Sequence, residues 1–264
     1  MEVLKKTLIK RAVCTLVLLL MAQGVSAADE QATSVNEQAL TLLKRSADFI
    51  AGSRAISIAV EYGFDVVQAS GQKVEFGGTR RIMVRRPDLA RIEFARRDGT
   101  QGELVFDGKQ VILVNKNEKL YSIENRSGDV GTVLDFVADK LGVPIPLRDF
   151  LAPDPAAVLT QGLVAARYGG EATIAGLPCD HLAFRTDAVD YQIWISRGEQ
   201  PLPRRLVITY REAEGQPQFW AQFVKWDINP ELGDSLFVYE PVDGAEEIPF
   251  IASKSVSTAM GGGQ

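Results

Sequence analysis

The stretch Arg85-Arg86-Pro87-Asp88-Leu89-Ala90-Arg91-Ile92-Glu93-Phe94 is a turn between two strand-like segments. Pro87 has no backbone N–H and a fixed φ, so the chain must turn or lie at a sheet edge there. Asp88 is a usual turn partner. Beyond the turn, Ile92 and Phe94 alternate with Arg91 and Glu93, the period of a half-buried strand. The neighbouring strands can be placed outward from this point.

Upstream, Ile56, Ile58, Val60, Tyr62, Phe64 and Val66 share one face of a strand from Ala55 to Val67. At about 3.3 Å per residue it would run about 40 Å. Ser70-Gly71 turns the chain, and Lys73 to Val84 return, with Gly77-Gly78 expected as a bulge or bend. Downstream come Leu89 to Ala95, then Glu103 to Phe106 and Gln110 to Val114 flanking Asp107-Gly108, a strong hairpin signal. Asn115 to Lys119 forms another turn before a short strand from Leu120 to Ile123. This is an antiparallel meander in which each strand is joined to the next by a turn signal.

Helical signals flank the meander. Ser34-Val35-Asn36-Glu37 has capping-box spacing, with Ser34 as the N-cap. Leu40, Leu43, Ala47 and Ile50 then form one stripe, and Gly52 is the stop. Thr132 to Leu141 reads as a second helix with Val133, Phe136 and Val137 on one face, ended by Gly142. Pro144 and Pro146 keep Val143 to Leu147 out of regular helix. Ala156 to Ala166 is expected as another short helix. Strands resume at Glu171 to Ile174, Asp180 to Arg185, Tyr191 to Ile195, Arg204 to Arg211, Gln218 to Trp226 and Leu236 to Tyr239. The fold class is α+β, one curved antiparallel sheet with helices packed on one side.

Met1 to Ala27 reads as a secretory signal, with basic Lys5, Lys6, Lys10 and Arg11, an apolar run from Ala12 to Met21, and Val25-Ser26-Ala27 as the cleavage site. That run is shorter than the roughly 20 residues a bilayer span needs, so no stable span is expected after cleavage. Residues 28–252 form a single domain, and 253–264 a small, Gly-rich tail expected to be disordered. The net charge is −5, a poor match for nucleic acid, which wants a basic face. Beyond the signal only Cys179 remains, so no internal disulfide can form and a packed core must carry the fold.

No nucleophile elbow, P-loop, dinucleotide fingerprint or H-E-x-x-H occurs. His181 is the only histidine. It shares a strand face with Cys179, but two ligands fall short of the three or four zinc takes. A nucleophilic pair would further need an orienting group and an oxyanion hole. No catalytic residue, metal site or cofactor is assigned. The aromatics point elsewhere. Trp220, Val224 and Trp226 are expected on one face of their strand, and Phe219, Ala221 and Phe223 on the other, while Tyr191, Ile193 and Ile195 oppose Trp194. Strands apolar on both faces need cover on both. One face lining a cavity beneath the Thr132 helix would suit a lipid or acyl chain.

Arg86-Pro87 before a strand, Asp107-Gly108 between strands, and Phe237, Pro241 and Gly244 near the end resemble the periplasmic lipoprotein carrier LolA and its receptor LolB. The resemblance implies a half-open β-barrel with a helical lid over an apolar cavity. It makes Arg86 the counterpart of an arginine that helps hold the carrier's lid closed. Val111-Ile112-Leu113 stand where the carrier has an aromatic, and the lid segment differs. A more specific resemblance, over about Ser34 to Phe250, is to a family of predicted periplasmic proteins (domain of unknown function 2092). Leu141-Gly142-Val143-Pro144-Ile145-Pro146-Leu147, Cys179-Asp180-His181-Leu182, Gln192-Ile193-Trp194-Ile195 and Pro201-Leu202-Pro203-Arg204 carry it, with Trp226 and Pro241 through Ala245.

Together these imply a periplasmic binding or carrier protein for a lipid, a lipoprotein acyl chain or a similar apolar ligand. The expected cavity and lid residues are Arg86, Tyr62, Phe64, Ile92, Phe94, Phe136, Val137 and Trp194. The alternatives are a regulatory module that senses an envelope protein partner, and an enzyme using Cys179 or His181.

Overall fold

The computed structural model describes residues 34–139 and 148–249. The secretory signal, the Leu141–Leu147 motif and the tail lie outside the described residues.

The first helix, α1 (Glu37–Ala51), buries Leu43, Ala47 and Ile50 and stops at Gly52, as the stripe predicts. Its N-cap is Asn36, not Ser34: the Asn36 side-chain oxygen accepts the Ala39 N–H at 2.9 Å. Ser34 is held elsewhere. Its carbonyl accepts the Ala166 N–H at 3.2 Å, and the Asn36 N–H donates to the Ala166 carbonyl at 3.0 Å, which draws the chain out beside another strand just before the helix.

The first meander is β1 (Ala55–Val67), β2 (Lys73–Arg85), β3 (Leu89–Arg96), β4 (Gln101–Phe106), β5 (Gln110–Asn115) and β6 (Leu120–Asn125). Each strand pairs antiparallel with the next. The Arg86-Pro87 peptide is cis, and the turn there joins β2 to β3 as the proline requires. The Asp107 carboxylate accepts the Lys109 and Gln110 N–H groups at 2.9 Å, fixing the β4–β5 hairpin. Gly77 and Gly78 make no bulge, because the β1–β2 register runs through them without a shift. A Cβ on Gly77 would stand 2.2 Å from the Tyr62 carbonyl oxygen, and one on Gly78 2.2 Å from that of Ala95. These are positions of close backbone approach.

Next come α2 (Val130–Asp139), a 3₁₀ turn over Arg148–Leu151, and α3 (Pro155–Leu159). The expected helix from Ala156 to Ala166 ends early. The Thr160 hydroxyl bonds back to the Ala156 carbonyl at 2.7 Å, and Gly162 turns the chain with φ +65°. Strand β7 (Leu163–Ile174) therefore begins well before Glu171. It is followed by β8 (Leu177–Thr186), β9 (Val189–Ser196), β10 (Pro203–Tyr210) and β11 (Gln218–Ile228).

Pairing of β1 with β11 joins the two meanders into one curved sheet of twelve strands, with the short β12 (Glu246–Glu247) added parallel to β6. Strands β12 and β7 stand at its two ends, so the sheet stays unclosed. Leu236 to Tyr239, expected as a strand, is instead a 3₁₀ turn over Asp234–Phe237 followed by extended chain. Arginine side chains take the carbonyls a strand partner would have used. Arg85 donates to the Leu232 carbonyl at 2.7 Å and Arg91 to the Leu236 carbonyl at 3.1 Å.

The faces of β11 also differ from strict alternation. Val60 pairs with Phe223 and Ala59 with Lys225, so Val224 is an extra residue that bulges out, 65% exposed. The bulge turns Trp226 to the inner face, where it stacks on Phe223 at 5.4 Å.

One contiguous core fills the space between the inner face of the sheet and the helices. On the outer face of β4–β6, Val105, Ile112 and Val114 form a second, smaller cluster with Tyr121, Ile123 and Tyr239.

Candidate functional site

The inner face is where apolar side chains of the strands meet the helical segments. Of the expected residues, Tyr62, Ile92 and Val137 are buried there, and Phe64 and Phe136 pack half-buried against the same core. Phe64 stacks on Phe76 near the β1–β2 turn at 6.1 Å. Phe94 lies over Gly102, whose missing Cβ leaves room for its ring. Trp194 is not with them. It stands on the outer face and stacks on His181, with ring centroids 4.3 Å apart and planes 3° from parallel.

Arg86 reaches from the β2–β3 turn toward the helical segment. Its Nη1 lies 3.4 Å from the Leu151 carbonyl, while Nε and Nη2 are buried without hydrogen-bond partners. Burial lowers its pKa, and the nearby Asp129 carboxylate opposes that. Asp129 in turn caps α2 by accepting the Thr132 N–H at 3.0 Å, which lowers its own pKa. One arginine thus bridges the central turn, the start of α2 and the chain before α3.

A cavity of about 430 Å³ opens at the other side of that same segment. Phe150 and Leu159 form its helical wall, and Val189, Tyr191, Leu206 and Ile208 its sheet wall. Gln161, Gly162, Asp187 and Ala188 make the rim, and Arg148 and Asp149 also reach it. The Tyr191 hydroxyl donates to the Leu159 carbonyl at 2.6 Å, tying floor to wall, and burial raises its pKa. Burial also raises the Asp149 and Tyr210 pKa values. A hollow of about 550 Å³ beside α1 is larger, but it is an exposed depression with Lys44, Arg45, Asp48 and Glu199 on its walls.

None of the eight expected residues lines the 430 Å³ cavity. Sequence reasoning placed Tyr191 correctly opposite Trp194. It had no signal that the β9–β10 surface would be left partly uncovered, because that depends on α3 being only five residues long.

Cys179 and His181 are separately engaged. The Cys179 thiol is fully buried, lies 3.4 Å from the Leu177 carbonyl, and has its pKa raised by burial. His181 Nε2 lies 3.0 Å from Gln192 Oε1. Among the described residues no three His, Cys, Asp or Glu side chains converge to hold a metal ion, and no helix is long and apolar enough to cross a membrane.

Several solved structures are similar to this chain. One is an uncharacterized conserved protein from Thermus thermophilus, at 13% identity, covering 81% of this chain and 99% of that one, with a TM-score of 0.47. Another is the Mycobacterium tuberculosis lipoprotein LppX, at 15% identity, 75% and 98% coverage and a TM-score of 0.47. A third is a LolA superfamily protein from Nitrosomonas europaea, at 7% identity, 76% and 97% coverage and a TM-score of 0.39. No curated protein matches the sequence. The family model described as "Predicted periplasmic protein (DUF2092)" matches residues 39–251. The chain belongs to that family of predicted periplasmic proteins.

Proposed function

We infer that this chain is a periplasmic binding or carrier protein for an apolar ligand of acyl-chain size. The observation that carries the reading is the cavity between Phe150, Leu159 and the β9–β10 wall. Its volume of about 430 Å³ falls within the roughly 300–1,000 Å³ usual for ligand pockets. Its two walls are mainly apolar, with Gln161, Thr186 and Asp187 at the rim and Arg148 and Asp149 at the inner side. Each buried CH₂ adds about 0.8 kcal/mol, so a chain lying against Leu206 and Ile208 would bind without specific chemistry. The reading needs no catalytic group, in keeping with a buried Cys179 and a His181 held between Trp194 and Gln192.

Arg86 takes the role of a fastener. It holds the Leu151 carbonyl next to Phe150, a wall residue, so its loss would loosen the wall while leaving the sheet intact. Uptake of the uncharged fluorescent probe N-phenyl-1-naphthylamine tests the reading. The wild-type protein should bind it saturably, Ile208→Trp should lose most uptake by filling the cavity, and Arg86→Ala should release it several-fold faster. Equal uptake by wild type and Ile208→Trp would put the ligand elsewhere.

A further inference from the structure

We propose that the cavity accepts chains whose polar end is an uncharged hydrogen-bond donor or a cation, and turns away chains that end in an anion. This rests on the cavity being the ligand site. Among the described residues the charged side chains that reach it are Arg148, Asp149 and Asp187. Arg148 is already engaged. Its Nε lies 3.2 Å from Asp135 and 3.8 Å from Asp149, and its Nη1 3.1 Å from Asp139. Behind the rim the same holds. Arg211 donates to the Thr186 carbonyl at 2.6 Å and the Asp187 carbonyl at 3.0 Å and faces Asp190 at 3.2 Å, while Arg185 grips Asp190 with two bonds of 2.8 and 2.7 Å.

Among the described residues the group left to meet an entering head group is therefore the Asp187 carboxylate, with Asp149, which shares Arg148 at 3.8 Å, behind it. Asp187 is exposed on the rim, and no cation pairs with it among the described residues. A Cβ on Gly162 would come within 2.9 Å of its carboxylate, so a larger residue there would make that side chain shift. Asp149 is half-buried beside Phe150 at the inner side. Carboxylates accept hydrogen bonds and attract cations, so a hydroxyl, an amide N–H or an ammonium finds a partner here. A carboxylate or phosphate a few ångströms away meets like charge, at a cost of roughly tenfold in affinity.

The test is displacement of N-phenyl-1-naphthylamine from the full chain at neutral pH by three ligands of one chain length, all below their micelle concentrations. These are tetradecanol, tetradecyltrimethylammonium and tetradecanoate. The first two should act at concentrations about tenfold or more below the third. In the Asp149→Asn, Asp187→Asn double variant the gap should narrow to about threefold. Tetradecanoate acting as well as the others on wild type would overturn the proposal while leaving a ligand site in place. Absence of probe uptake altogether would remove the reading beneath it. Should the double variant fail to fold, the wild-type order alone decides.

Discussion

The two halves of the sheet are covered differently. In the β2–β6 half both faces are packed. The inner face meets α2 through Val133, Leu134 and Val137, and the outer face of β4–β6 carries the second apolar cluster. The chain after β11 runs across that outer face. Phe237 is buried to 1% exposure beneath the Arg85 guanidinium, Tyr239 packs at a tilt against Tyr121 at 5.5 Å, and Glu246 and Glu247 finish beside β6. In the β7–β10 half the described residues that cover the inner face are α1, the 3₁₀ turn and the five-residue α3, and the cavity lies beside them. Its outer face is a polar and aromatic surface, with His181 stacked on Trp194 and hydrogen-bonded to Gln192. In the reading proposed above, the doubly covered half is the scaffold and the half with the cavity is where a guest would sit.

The difference can be broken by substitution, and the largest effect belongs to the scaffold. Phe106 on β4 is fully buried in the main core. Phe106→Ala should cost about 3–5 kcal/mol, read as a lower urea midpoint. Phe237→Ala should cost about 3 kcal/mol, because the strap over the outer face loses its anchor; probe uptake by the fraction still folded should not change. Ile208→Trp should reverse this pattern. It lies in a partly open space, so stability should move by about 1 kcal/mol or less, while uptake falls about tenfold or more. If instead Ile208→Trp destabilised as strongly as Phe106→Ala, the two halves would be equally packed.

The smallest effect expected is on pH dependence. Burial raises the Asp149 pKa above its unfolded value, with Arg148 opposing. The folded state then holds the proton more tightly, so Asp149 favours folding below the unfolded pKa, and that contribution is lost as pH rises through the folded pKa. At neutral pH the charged Asp149 is a burden. Asp149→Asn should be slightly more stable than wild type at pH 7, and the gap should close as pH falls into the ordinary carboxylate range. Paired thermal melts across that range measure it, and a gap that widened on acidification would show Asp149 to be stabilised as the anion.

Much of the scaffold was legible in the sequence, because alternation and turn chemistry are local. The stretch from Ala55 to Val67 is a strand with those same bounds, and Asp107-Gly108 forms the hairpin it predicts. What could not be read depends on distant partners. Val224 bulges because of its pairing with β1, and that turned Trp226 to the other face. Leu163 to Ala166 fits either a short helix or a strand, and pairing with β8 decides it. Leu236 to Tyr239 has a strand's composition, yet Arg91 captures the Leu236 carbonyl and Arg85 that of Leu232 just before it. The interior face was recognisable from Tyr62, Ile92 and Val137, while Trp194 went to the other side. The cavity wall was not recognisable, because Tyr191, Leu206 and Ile208 read as ordinary strand core, Tyr191 and Leu206 are indeed buried, and the space beside them depends on how α3 and the 3₁₀ turn pack.

The most direct measurement is mass spectrometry of an organic extract of the protein purified from the periplasm without detergent, beside Ile208→Trp prepared the same way. One chain-bearing apolar molecule per protein, present in wild type and missing from Ile208→Trp, is the expected result. An empty wild-type extract together with no uptake of an uncharged apolar probe would contradict the central claim, and the β7–β10 half would then be scaffold like the other.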